Sequence, residues 1–438
     1  MNFPQSVSYL NGLGNEILSM KLGLDSMRRL ASELGDPQKE VPAVHIAGTN
    51  GKGSTAAMTA AIVERAGLKV GLYTSPHLID IRERIKVGAL NIAEEDFARL
   101  ASEVSLAGQR LVSRGELPAL PTFFEQVTMI GFLYFLERRV KLAVLEVGLG
   151  GRLDATNICR PLVIGLTPIA KDHEKYLGDT ISAIASEKAG IIKEGVPVVS
   201  ASQPPEALRV IKDRCAELGS DLTLVEESTS ETSARREGFF NLHLETSAGS
   251  YDVRLNLRGR HQVGNAATAI HLVEKLAEHG LPIETSAIVS GIESVSWPGR
   301  LEILKTRSGR DLLLDGAHNP DGARSLRRFL EEEYADRAVT LIFSAMSDKA
   351  LEEMTQTLFP IVQTVIATRI GNPRAVEPAV IARQELRIGR RVLTAETSVE
   401  AMALAETETS VTGIICAAGS LYLIGELRAQ LLSSSGER

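Results

Sequence analysis

Cysteine, tryptophan and aromatic side chains in general are scarce in this chain: it has three cysteines, one tryptophan and 4% aromatic residues. Cys159, Cys215 and Cys416 are odd in number, far apart and without metal-ligand spacing. They indicate neither a disulfide framework nor a thiolate zinc cluster, and a reducing compartment fits. Positive charge is not in excess either, since 48 Lys+Arg against 55 Asp+Glu leave a net charge of -7. Nucleic acid and anionic membranes are therefore not expected partners. Long hydrophobic runs are absent: the most apolar stretch, Val127–Leu136, is about half a membrane span. The start MNFPQSVSYL lacks the basic residues and apolar core of a signal peptide, and a cytoplasmic location is expected. No solenoid repeat or long low-complexity segment occurs. What remains is a chain of 438 residues, 44% hydrophobic and 24% charged. That is an ordinary globular composition with length for about two or three domains.

From Val41 onward, short β-branched runs alternate with longer amphipathic segments, the pattern of a parallel sheet with crossover helices, so the fold class is α/β. Strands are expected at Val41–Ala47, Leu68–Thr74, Leu142–Gly148, Leu162–Thr167 and Val196–Ser202. Helices are expected at Gly53–Ala66, Thr180–Lys193 and Pro205–Leu218. Glu226–Glu237 reads as a polar loop leading into a small antiparallel section that includes Tyr251–Leu257. Helices at Asn265–His279 and Ile283–Val295 then precede Trp297-Pro298-Gly299-Arg300, where Pro and Gly mark a boundary. Residues 1–297 are thus expected to form the first domain and 298–438 a second, smaller α/β domain, with the tail SSSGER disordered.

The sharpest chemical feature is Gly48-Thr49-Asn50-Gly51-Lys52-Gly53-Ser54-Thr55, set between a strand and a small-residue helix. Glycines let backbone N–H groups turn toward a phosphate, the helix N-terminus adds partial positive charge, and Lys52 can reach the outer phosphate oxygens. The usual G-x-x-x-x-G-K-[ST] pattern is not met, because Ile46 stands at the first glycine position and Gly53 follows the lysine, so this is a variant phosphate loop. Nucleotide phosphates call for a divalent cation with oxygen or imidazole ligands at neighbouring strand ends. Ser75, Glu146 and His173 occupy such positions. Taken singly, a capping serine, a solvent-facing glutamate and a core histidine explain them as well; together they point to a metal. Gly148, Gly150 and Gly151 after Glu146 suggest a dinucleotide site only weakly, because the spacing is not G-x-G-x-x-G and no helix pattern follows before Pro161.

The segments HIAGTNGKGS, YTSPHL, FFE, LEVGLGGRLDATN, DHEKYLGDTISAIASEKAGI, GRHQVGNAATA, WPGR, LDGAHNP, NPRA and GSLYLIGE run in order along nearly the whole chain. Together they closely resemble the folylpolyglutamate synthase and dihydrofolate synthase family of the Mur ligase superfamily. The resemblance implies a P-loop-type parallel-sheet ATPase domain followed by a Rossmann-like glutamate-ligase domain. It also implies an ATP- and Mg2+-dependent, ADP-forming ligase that adds L-glutamate to dihydropteroate or to folates through an acyl phosphate. On this reading Asn50, Gly51, Lys52, Gly53, Ser54, Asn265, Arg300 and Asp315 contact the nucleotide, and Ser75, Glu146 and His173 hold magnesium. Lys188 matches a lysine that is carbamylated in the family, and Lys52, Glu146, His173 and Lys188 form the catalytic set. Thr122, Phe123, Phe124, Glu125, Leu153, Asp154 and Ala155 face the pterin end of the substrate, and His318 and Ser420 the incoming glutamate. Core packing for one of the two phenylalanines, helix capping for Asn265 and a turn role for Asp315 are the competing readings. The resemblance further implies a monomer that closes about a hinge near Trp297–Arg300. A UDP-muramyl peptide ligase of the same superfamily, a P-loop ATPase switch and a nicotinamide-dependent oxidoreductase are the alternatives.

Overall fold

The computed structural model describes residues 1–14, 23–225, 230–234, 236–384 and 391–435. Among them, eight strands build the larger sheet: β1 (Ala43–Ala47), β2 (Val70–Tyr73), β3 (Ile85–Val87), β4 (Leu90–Asn91), β5 (Leu142–Glu146), β6 (Val163–Leu166), β7 (Val198–Ser200) and β8 (Leu222–Leu224). Their spatial order is β4-β3-β2-β5-β1-β6-β7-β8, parallel except for the hairpin β3-β4 at one edge. Every residue of β1, β5 and β6 is buried, as strands covered on both faces must be. Val44 and Ile46 join the core under the helices Lys52–Arg65 and His261–Glu278, while Ala43 and Leu145 join the opposite core under Glu94–Ser113 and Phe123–Glu137. The carboxyl ends of β1, β5 and β6 therefore open at one rim, where ligands bind in sheets of this kind.

A smaller antiparallel sheet, β9 (Ser230–Ala234), β10 (Phe240–Glu245) and β11 (Ser250–Arg254), packs on the helix His261–Glu278 through Phe240, Leu242, Leu244, Tyr251 and Val253. A third sheet follows, built from β12 (Glu302–Lys305), β13 (Asp311–Leu314), β14 (Val339–Phe343), β15 (Thr364–Thr368), β16 (Val392–Ala395) and β17 (Ile414–Ala418). It is ordered β12-β13-β17-β14-β15-β16, with only β12 antiparallel to its neighbour.

Three expectations need correction. The segment Glu226–Glu237 is not all loop, because Ser230–Ala234 pairs with β10 as an edge strand; residues 226–229 and 235 lie outside the described residues. An edge strand needs only a partner's backbone, which hydropathy does not reveal. The helix expected from Asn265 begins at His261, behind an Arg260 N-cap that makes no side-chain capping bond, so no capping residue marks the start in the sequence. The last helix, Leu421–Ser435, takes in the first part of the SSSGER tail, and residues 436–438 lie outside the described residues. No helix among the described residues is long and apolar enough to cross a membrane.

Candidate active site

A cavity of about 410 Å³ lies between the rim of the larger sheet and loops of the third sheet. Every residue singled out above as a site residue lines it except Phe123.

The phosphate loop leaves β1 at Gly48, where φ is 148° and a Cβ would lie 1.9 Å from the Thr167 hydroxyl oxygen. Only glycine fits there. The Thr49 and Asn50 N–H groups both point to the Pro168 carbonyl, at 2.9 and 3.3 Å. The donors left for an anion are thus those of the first turn of the helix Lys52–Arg65, which by geometry lack intrahelical partners. Gly51 caps that helix at φ 83°, and a Cβ on it would sit 2.3 Å from the Asn265 Oδ1. Asn265 lies inside its own helix rather than at the cap, and its amide donates to Gln262 Oε1 at 2.9 Å. The capping reading of Asn265 therefore fails. Lys52 Nζ donates to the Thr49 carbonyl at 3.1 Å. Burial holds this amine below its ordinary range, with Glu146 opposing.

Glu146 ends β5 and is buried, and its Oε2 accepts the Ser75 N–H at 3.1 Å. Burial raises its pKa, and the Lys52 charge only partly offsets this. A carboxylate in that position has an unmet demand for positive charge. His173 faces elsewhere: its Nε2 lies 2.9 Å from Lys349 Nζ and its Nδ1 3.5 Å from Asp348 Oδ2. Both His173 Nδ1 and Asp348 Oδ2 are buried without a hydrogen bond. Burial and the Lys349 ammonium keep this imidazole neutral by pushing its pKa down. Among the described residues no three acidic, imidazole or thiol side chains converge on one point. A cation at Glu146 would thus draw on the Ser75 hydroxyl and on ligand oxygens, as magnesium commonly does.

Lys188 sits in the last turn of the helix Ile181–Ala189, is 4% exposed, and donates to the Gly48 carbonyl at 2.7 Å. Burial first, and the Lys52 charge second, pull its pKa down to about 7.

On the other side of the cavity, Thr122 and Glu125 form a reciprocal cap of the helix Phe123–Glu137: Glu125 Oε2 accepts the Thr122 N–H at 2.7 Å, and Thr122 Oγ1 the Glu125 N–H at 3.3 Å. The T-x-x-E spacing is the signature of this box. Phe124 lines the cavity, and Gly148 passes so close that a Cβ there would sit 2.5 Å from its ring. Phe123 instead joins the core beneath Arg84, whose guanidinium lies 5.3 Å from the ring centroid. Phe123 is thus a core residue, while Phe124 packs against the margin of the same core, 6.2 Å from the Tyr73 ring, and also faces the cavity. Asp154 accepts four hydrogen bonds: Gly148 N–H and Leu149 N–H on Oδ2, both at 3.0 Å, and Thr156 N–H at 3.0 Å and Oγ1–H at 2.5 Å on Oδ1. A carboxylate offers about four such places, so this one is committed to shaping its own loop.

The third sheet supplies the remaining wall. Asp315 accepts the Leu301 and Ala317 N–H groups, both at 3.0 Å, which satisfies the turn reading while leaving the residue beside Arg300 in the cavity. His318 Nδ1 donates to the Gly316 carbonyl at 2.7 Å, and Ser420 Oγ accepts the Tyr422 N–H at 3.2 Å. Sequence reasoning assigned no role to Asp172, Lys349 or Arg374, yet all three line the cavity. Asp172 accepts Lys349 Nζ at 2.6 Å and Asn319 Nδ2 at 3.2 Å, and its Oδ2 lies 3.6 Å from His318 Nε2. Burial opposes its ionisation, but the neighbouring His318 ring and the Lys349 charge hold it below the usual carboxylate range. Asn50 adds a second tie across the cleft, donating to Asp321 Oδ2 at 2.9 Å. The segments DH, SDKA and NPRA carry these charges in sequence, but only the fold brings them together.

Known families match this arrangement. The Mur ligase middle domain matches residues 46–273, and the Mur ligase glutamate ligase domain matches residues 299–421. The dihydrofolate synthase/folylpolyglutamate synthase of Bacillus subtilis is 35% identical over 421 residues, covering 94% of this chain and 95% of its own. Folylpolyglutamate synthase of Mycobacterium tuberculosis, solved with ADP and AMPPCP, superposes with a TM-score of 0.90 at 32% identity, covering 98% of this chain and 99% of that one. The E. coli protein FolC, solved with DHPP and ADP, superposes with a TM-score of 0.86 at 28% identity, covering 99% of each chain.

Proposed function

Since the chain belongs to the folylpolyglutamate synthase and dihydrofolate synthase family of the Mur ligases, we propose that it is an ATP-dependent, ADP-forming ligase that couples L-glutamate to dihydropteroate and to tetrahydrofolate polyglutamates. The observation that carries this reading is one cavity shared by three walls: the phosphate loop, the aromatic slot at Phe124, and the third-sheet loops with His318 and Ser420. A nucleotide, a flat heterocyclic acid and an amino acid can meet there. In this reading residues 1–297 bind the phosphates of ATP and the acid, and residues 298–438 present glutamate and complete the nucleotide site through Arg300 and Asp315.

A carboxylate is a poor electrophile, so the terminal phosphoryl group of ATP is first moved onto it, giving an acyl phosphate and ADP. The glutamate amine then attacks the acyl carbon and phosphate leaves. The work of the chain is positioning and charge neutralisation. The first-turn N–H groups, with Asn50, Gly51, Gly53 and Ser54, cradle the phosphates, while Lys52 offsets their charge. Asn265, Arg300 and Asp315 hold the rest of the nucleotide. Glu146 and the Ser75 hydroxyl fit a magnesium ion, which when bound would neutralise phosphate charge, whereas His173 faces Lys349 and Asp348 and stands apart from that pair. Thr122, Phe124, Glu125, Leu153, Asp154 and Ala155 wall the pteroate slot. Lys188 is the lysine that takes up carbon dioxide: an amine whose pKa lies at about 7 is largely neutral above that pH, as carbamylation requires. Its carbamate would turn a cation beside Lys52 into an anion, reversing a repulsion.

The test is product mass after incubation with ATP, magnesium, glutamate and either dihydropteroate or tetrahydrofolate, with Lys52→Ala as control. The expected product is the acid plus one glutamyl residue, with ADP release strictly dependent on both co-substrates. Turnover of a UDP-muramyl acceptor, or ADP release without glutamate, would overturn the proposal.

A further inference from the structure

His45 is a polar exception in the middle of a strand buried along its whole length, flanked by Val44 and Ile46 and itself fully buried. A buried imidazole is costly unless its polar atoms are used. Only one is used: Nε2 lies 2.8 Å from Thr156 Oγ1, while Nδ1 is buried without a partner. The Thr156 hydroxyl has a single proton, and that proton goes to Asp154 Oδ1 at 2.5 Å. Its oxygen must therefore accept from His45, which fixes the proton of the neutral imidazole on Nε2. The result is a directed chain, His45 Nε2–H to Thr156 Oγ1–H to Asp154 Oδ1. Asp154 then holds the Gly148 and Leu149 N–H groups through its other oxygen. Gly148, Leu149, Leu153 and Ala155 border the cavity where Phe124 lies, whereas His45 and Thr156 do not reach it.

We propose that His45 and Thr156 are positioning residues for the acid substrate: through Asp154 they hold the turn 148–155 in the shape that receives the pteroate end. The inference rests on the function proposed above. Thr156 fixes one Asp154 oxygen so that the other stays aimed at the two backbone donors, and His45 fixes the rotor of Thr156. Without that rotor constraint the hydroxyl can turn from the carboxylate and the turn loosens. The nucleotide side is reached by a different exit from β1, through Gly48, where the Thr49 and Asn50 N–H groups are held by the Pro168 carbonyl rather than by this chain of hydrogen bonds.

The experiment compares Thr156→Val with Thr156→Ser, and His45→Leu with His45→Gln, in the full-length protein. Glutamine keeps an N–H donor, and leucine keeps only bulk. Thr156→Val and His45→Leu should raise the KM for dihydropteroate by about fivefold or more, with the dissociation constant of a non-hydrolysable ATP analogue unchanged. Thr156→Ser and His45→Gln should recover most of that loss. Either pair alone decides the matter if one of the apolar variants fails to fold. An unshifted KM, a parallel loss of nucleotide affinity, or no recovery in the conservative variants would overturn the proposal. Wild-type protein that forms no glutamylated product would instead refute the parent reading of function, and the two failures are separable in one set of assays.

Discussion

Two adjacent phenylalanines show how far a single position decides a role. Phe123 packs in the core under Arg84, and Phe124 lines the cavity against Gly148. Phe123→Ala should cost about 3–5 kcal/mol of stability, read by denaturant unfolding. Phe124→Ala, which removes a half-buried ring at the margin of that core, should lower the unfolding midpoint less than Phe123→Ala and raise the KM for dihydropteroate. The buried Lys188 gives a second test. Its folded-state pKa, about 7, lies below the ordinary lysine value. Below pH 7 the buried ammonium opposes folding in full, and that penalty fades as pH rises from about 7 toward the unfolded value. Neutral amine, and with it carbamate, should accumulate over the same rise. Carbon NMR with labelled bicarbonate should show a carbamate signal at pH 8 that weakens at pH 6 and is missing in Lys188→Met. An identical spectrum for wild type and Lys188→Met would contradict the assignment.

Elements differ in how openly they are written. The strand β1, the phosphate loop and the helix Lys52–Arg65 are contiguous, and each carries its own signal: an apolar run, glycines, small residues. Gly51 stands where two constraints meet, a positive φ and the nearby Asn265 side chain. Gly51→Ala should weaken nucleotide binding by at least about tenfold, measured by calorimetry with an ATP analogue, while the fold survives. Edge strands were harder to foresee. β8, β9 and β16 are short and lie at sheet borders, where a strand shows little hydropathy pattern, and pairing with a remote neighbour defines them. The start of the helix His261–Glu278 was hidden for a local reason, since no capping residue precedes it. The T-x-x-E box at Thr122 carries a spacing signature, yet Thr122 and Glu125 are expected from the sequence only at the pterin end, and the structure adds their capping role.

At the scale of the whole molecule, the two sides of the cleft are joined by charge. Asp172 follows β6, while Lys349 and His318 come from loops of the third sheet, 177 and 146 positions away along the chain. No local pattern could pair them, which is why the glycine loop was legible and this constellation was not. Lys349 and Asp172 are 6% and 9% exposed, so removing one partner strands a buried charge. Lys349→Met should cost about 3 kcal/mol and raise the radius of gyration in small-angle scattering; an unchanged radius would show that the ion pair does not hold the cleft. The proposed reaction depends on phosphoryl transfer to the acid before the amino acid attacks. Oxygen tracing tests this most directly: with heavy oxygen in both carboxylate positions of dihydropteroate, one labelled atom should pass into each inorganic phosphate released. Unlabelled phosphate accompanying labelled amide product would contradict it.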